Sequence, residues 1–214
     1  MAGPPVDKPR RRLGFRRLSG LDRSGPPPPQ TLSGAPLHPW TIPNAIGYIR
    51  LALIPVFLIV AFNTDDGQYW VSTLIFGLVG WGDYFDGIAA RITRQFSRMG
   101  ALLDPLIDRL TILSGAVVCW SFELLPRWAL ALLVLRELTM LIIAQYGLRH
   151  GVDVEVNWPG RISVFPIMGG IFLALLVDGW LPAALLIVGL ALAILATVLY
   201  AQAGLRAARA AAAS

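Results

Sequence analysis

Asp83, Asp86, Asp104 and Asp108 stand in stretches that are otherwise strongly apolar. An ionised side chain at the centre of a membrane helix costs about 2.5–3.5 kcal/mol on insertion scales, so each of these acids is a candidate for function. Helical spacing groups them. At about 100° per residue, Asp83, Asp86, Gly87, Ala90 and Arg91 share an arc of roughly 140°. Gly100, Asp104 and Asp108 form one stripe on the next helix, and the short link between Ala90 and Gly100 makes the two helices antiparallel neighbours. The four carboxylates can therefore face one another. Such a cluster stays ionised in apolar surroundings only if cations compensate it. Hard divalent ions with oxygen ligands do so, and Mg²⁺ commonly combines a few carboxylates with substrate phosphates. Gly87 and Ala90 leave room for a flat group to reach the backbone, and Arg91 offers a fork to a phosphate. The residues describe cation-assisted phosphate chemistry. Structural salt bridges to Arg91, Arg94, Arg98 and Arg109 would explain neither the small residues nor the convergence. A divalent-cation transporter is the rival class. It would need polar residues continuing across the membrane, whereas the remainder of both helices is mostly apolar.

The elements that must position these acids follow from composition. The chain has 214 residues, 56% hydrophobic and 14% charged, with mean hydropathy +0.63. Soluble domains carry about 25% charged residues, so this is a membrane composition. A span needs about 20 apolar residues as helix. Six stretches qualify, at roughly 43–62, 69–90, 100–121, 128–148, 160–178 and 181–203. The expectation is an all-α polytopic membrane protein of six transmembrane helices. Lys and Arg set its orientation: Arg91, Arg94, Arg98, Arg149, Arg161, Arg206 and Arg209 fall on the side of the N-terminal arm, and Arg127 alone falls opposite. That bias puts both termini in the cytoplasm, with a multi-pass domain in the cell membrane and the acids at its cytoplasmic face. Trp70, Trp120, Trp128 and Trp180 would mark the outer interface, and Trp40 and Trp158 the inner one.

Residues 1–37 read as a disordered basic arm with a Pro26–Pro29 run, 38–205 as the membrane domain and 206–214 as a tail. No secretory signal pattern is present in the arm. The formal charge of +5 comes largely from that arm, and it suits anionic lipid rather than nucleic acid. The one cysteine, Cys119, excludes a disulfide framework within the chain.

Read as a pattern, Asp83, Asp86, Gly87, Ala90, Arg91, Gly100, Asp104 and Asp108 resemble the signature of the CDP-alcohol phosphotransferase family, Asp-x2-Asp-Gly-x2-Ala-Arg-x8-Gly-x3-Asp-x3-Asp, with every spacing matched. The looser resemblance, six helices with the motif across the second and third, covers about 40–205. It implies a two-metal site in which Asp83, Asp86, Asp104 and Asp108 hold Mg²⁺ or Mn²⁺. Gly87, Ala90 and Arg91 would line the cytidine nucleotide of CDP-diacylglycerol. An acceptor alcohol would attack the lipid-side phosphorus and CMP would leave, with Asp108 as general base.

The flanks resemble the bacterial phosphatidylglycerophosphate synthases and the related CDP-alcohol-type cardiolipin synthases, through Pro43-Asn44…Arg50, Leu103-Asp104-Pro105, Arg136-Glu137 and Gly160-Arg161. The implied acceptor is glycerol 3-phosphate, with phosphatidylglycerol as the alternative. Arg136 and Arg161 would then bind the acceptor's phosphate, unless Arg136 pairs with Glu137 or another acid instead. Gly82, Gly47 and Ile107 depart from residues common in that branch. Asn44 is either a ligand of the CDP-lipid or a helix cap. Arg50 is expected to pair with a motif acid. Gly169-Gly170 reads as close packing, with a seam between two copies as one place for it.

Overall fold

The structure, a computed structural model, describes residues 36–93, 95–149 and 158–212. These residues form six α-helices and no strand: α1 Ile42–Phe62, α2 Trp70–Thr93, α3 Arg98–Ser121, α4 Arg127–Arg149, α5 Trp158–Ala174 and α6 Trp180–Ala212. The polar separators fall between helices as their composition requires. Most of the basic arm, residues 1–35, lies outside the described residues, as do Arg94 and the 150–157 link.

Local signals set the helix ends. Thr41 caps α1 by accepting from the Asn44 backbone N–H, with a proline in the first turn. Ser97 caps α3 in the same way, accepting from the Gly100 N–H at 3.0 Å. Two ends differ from the apolar pattern. α5 stops at Ala174 rather than near residue 178, and side chains at and just ahead of the start of α2 meet the carbonyls at its end. Thr73 Oγ1 donates to the Leu175 carbonyl at 2.8 Å, and Gln68 Nε2 donates to that of Ala174 at 3.0 Å. α6 runs on to Ala212, because its alanine-rich continuation has the highest helix propensity of any composition.

α1 lies against both α2 and α3, and α5 packs along α6. Gly170 makes that second pairing close. A Cβ there would sit 2.9 Å from both the Pro182 carbonyl oxygen and the Leu186 nitrogen, so the missing side chain serves contact with α6 of the same chain. One large apolar cluster joins Phe57, Phe76, Ile112, Leu130, Ile171 and Leu186 with their neighbours. A second and smaller one, Ile54, Val79 and Ile107, lies directly under the acids.

Large apolar side chains also point outward on every helix, among them Ile59, Leu78, Leu106, Leu135, Phe165 and Val188. A water-soluble bundle would not leave such faces uncovered. α1 and the Trp180–Leu199 part of α6 are long and apolar enough to cross a bilayer, with mean hydropathy 2.3 and 2.6. Trp70, Trp120, Trp128 and Trp180 are all exposed at helix ends, and Trp40 is exposed ahead of α1.

Candidate active site

The site is built where α1, α2 and α3 meet, at the end bearing the caps of α1 and α3. Asp83 and Asp108 approach from α2 and α3 and converge on one guanidinium, that of Arg50 from α1. Arg50 Nη2 donates to Asp108 Oδ1 at 3.0 Å, and Arg50 Nη1 lies 3.6 Å from Asp83 Oδ1. The arginine is 2% exposed, whereas the two carboxylates are about half exposed, at 47% and 46%. Arg50 Nε donates to the Val79 carbonyl at 2.8 Å, anchoring the group to the backbone of α2. The expected pairing of Arg50 with a motif acid is thus observed, with two acids among the described side chains.

Beside this cluster lies an open cleft of about 120 Å³, lined by Gly87 and Ala90 of α2, Gly100 and Asp104 of α3, and Pro43 and Asn44 of α1, together with Gln95–Ser97 and Ala101. Its walls are mostly small residues, which is what gives it room. Asn44 is buried and fully engaged. Its Nδ2 donates to the carbonyls of His38 and Pro39, each at 3.0 Å, and its Oδ1 accepts from Ser97 Oγ at 2.9 Å. It therefore ties the segment ahead of α1 to the cap of α3 while also forming part of the cleft wall. Gly100 is required by this arrangement, since a Cβ there would stand 2.8 Å from Asn44 Oδ1.

The donor set suits a divalent cation. Carboxylates are hard oxygen ligands, and two of them reach a shared region from different helices with half their surface open. Among the described side chains no three acids already form a closed cage. Mg²⁺ commonly takes only one or two carboxylates and completes its shell with water and substrate oxygens. Asp86 and Arg91 hold their helical positions in α2 and Arg161 holds its own in α5, but their side chains lie outside the described residues.

Arg136 is placed differently from the acids. It is on α4, where its Nη1 pairs with the adjacent Glu137, which is 3% exposed, and its buried Nε has no hydrogen-bond partner among the described residues. The sequence left open whether Arg136 awaited a phosphate or its neighbour, and the structure shows the neighbour engaged. Two contributors went unread. Ser97 holds Asn44 from 53 positions away, and its place just before a helix was the available signal. Gly82 looked only like a departure, yet a Cβ there would meet Arg50 Cδ at 2.6 Å.

The chain is thus a helical bundle with apolar outer faces, an acid cluster and an adjoining cleft. The model of the CDP-alcohol phosphatidyltransferase family matches residues 40–199, and the chain belongs to this family. A relative from Streptomyces coelicolor, "Cardiolipin synthase (CMP-forming)", is 38% identical over 171 residues, covering 77% of this chain and 79% of its own. A Mycobacterium tuberculosis "Probable phosphatidylglycerophosphate synthase" is 31% identical over 161 residues, 73% and 76% of the two chains. A Bacillus subtilis "CDP-diacylglycerol--glycerol-3-phosphate 3-phosphatidyltransferase" is 25% identical over 138 residues, 59% and 72%.

Proposed function

We propose that this chain transfers a phosphatidyl group from CDP-diacylglycerol to the primary hydroxyl of a glycerol phosphate and releases CMP. The observation that carries this reading is the cleft of Gly87, Ala90, Gly100 and Asp104 opening beside the Asp83–Arg50–Asp108 cluster. It offers a slot for a flat nucleotide next to acids suited to bring cations to its pyrophosphate. Asp83, Asp86, Asp104 and Asp108 would hold Mg²⁺ or Mn²⁺, which when bound would neutralise charge on the attacking and leaving oxygens. Gly87 and Ala90 admit the cytidine, Arg91 meets a phosphate, and Asn44 keeps the wall of the slot in place. Asp108, fixed by Arg50, accepts the proton of the attacking hydroxyl. In this reading the six helices all span the membrane over 38–205, both termini lie in the cytoplasm, and the cleft opens to that side. The arginines of residues 91–98 and 149–161 support it.

Glycerol 3-phosphate is the first acceptor in this reading, with Arg136 and Arg161 as the residues that would bind its phosphate. Phosphatidylglycerol is the second. The ion pair of Arg136 with Glu137 favours it, since a partly neutralised cation suits a singly charged diester better than a doubly charged monoester. The 38% identity to the Streptomyces relative points the same way. The test incubates purified full-length protein with CDP-diacylglycerol, Mg²⁺ or Mn²⁺ and each acceptor, following CMP and the lipid formed. Phosphatidylglycerophosphate or cardiolipin identifies the acceptor, and a chelator should stop both. Absence of CMP with either acceptor, together with cation flux in liposomes, overturns the reading in favour of a transporter.

A further inference from the structure

Arg50 lies on α1, outside the 83–108 segment that carries the acid pattern, yet its guanidinium reaches both Asp83 and Asp108. Each of its guanidinium nitrogens has a described partner: Nε on the Val79 carbonyl, Nη2 on Asp108 and Nη1 facing Asp83. A planar fork anchored at its root to main chain cannot swing to follow a side chain, so the carboxylates must align to it. The stem reaches that place by passing over Gly82. A Cβ at residue 82 would stand 2.6 Å from Arg50 Cδ, 2.9 Å from Cγ and 3.0 Å from Nε. The stem cannot give way cheaply, because the head beyond it is buried and tied at three points. Gly82 and Arg50 are one device.

We propose that Arg50 is the positioning residue of this site, setting the relative placement of the Asp83 and Asp108 carboxylates, and that Gly82 is the gap that admits it. The inference rests on the phosphatidyl-transfer reading for its kinetic test, but not for its binding test. The full-length variants Arg50→Lys, Arg50→Ala, Gly82→Ala and the double variant Gly82→Ala/Arg50→Ala are purified in detergent. CMP release, thermal unfolding and Mn²⁺ binding without substrate (by electron paramagnetic resonance) are measured on each.

Arg50→Lys keeps the charge without the fork, and Gly82→Ala keeps the fork while displacing its stem. Each should lower kcat about 100-fold, the scale of a small misplacement at reacting groups, with KM for CDP-diacylglycerol changed less than about twofold. Gly82→Ala leaves the charge of the site untouched, yet its Mn²⁺ affinity should fall about tenfold. The double variant should be no worse than Arg50→Ala, because the three atoms nearest the added methyl all belong to the Arg50 side chain. Wild-type kcat or Mn²⁺ affinity in a folded Gly82→Ala protein overturns the proposal. Full activity of Arg50→Lys, or losses that add in the double variant, does the same. Should Arg50→Ala fail to fold, the Lys and Gly82 variants still decide. A wild-type protein that binds Mn²⁺ and releases no CMP defeats the transfer reading, and leaves the Mn²⁺ comparison to judge Arg50.

Discussion

Replacing Asn44 by alanine separates the two roles that its position allows. The side chain is 2% exposed and makes three hydrogen bonds, two to carbonyls ahead of α1 and one from the Ser97 hydroxyl. At about 1 kcal/mol net each, the loss is about 3 kcal/mol if none is replaced. Water can re-solvate the His38 and Pro39 carbonyls, since that segment is exposed, which brings the lower bound to about 1.5 kcal/mol. For a domain of 150–250 residues each kcal/mol moves Tm by about 2–4 °C, so the variant should melt about 3–12 °C below the parent. The assay is thermal unfolding in detergent, repeated with saturating CDP-diacylglycerol, beside the KM for that lipid. The clasp predicts a lowered Tm in both conditions and a KM within about threefold of the parent, as expected when no ligand contact is removed. An unchanged Tm with KM raised tenfold or more would refute the reasoning and make Asn44 a substrate ligand.

Ala90→Leu should fill the cleft between α2 and the cap of α3. KM for CDP-diacylglycerol is expected to rise about tenfold or more, with Tm unchanged in the same melting assay. Glu137→Gln removes the counter-charge of a buried guanidinium. Breaking such a pair costs about 3–5 kcal/mol, so this variant should unfold well below the parent in detergent, and replacing Arg136 and Glu137 together by Met and Leu should restore most of the loss.

Helix positions were legible because polar separators interrupt apolar runs, and a run long enough to span a bilayer leaves little choice of register. The facing of Asp83 towards Asp108 was legible too, since helical periodicity and a short connection fix it. What could not be read was anything set by how α1 crosses the other two helices. Arg50 was expected to find an acid, but its hold on the Val79 carbonyl depends on where its stem passes. Gly82 shows the same limit. Its lack of a side chain has a reason only once α1 lies across it. Arg136 stood between a neighbouring acid and an external phosphate, and sequence adjacency does not choose between them. The structure engages Glu137 while leaving Nε buried without a partner among the described residues.

The unequal division of the apolar interior has a dynamic consequence. Eighteen buried residues form one cluster away from the acids, while three, Ile54, Val79 and Ile107, underlie them. Segments with few buried apolar contacts open at lower free energy than the rest of a protein. Amide exchange should therefore be fast across residues 44–50, 83–90 and 98–104, and slow across 112–119, 129–133 and 167–175. A nucleotide with two acyl chains attached could then be admitted by local parting of helix ends, while the opposite half of the bundle stays shut and keeps the acids within reach of their guanidinium.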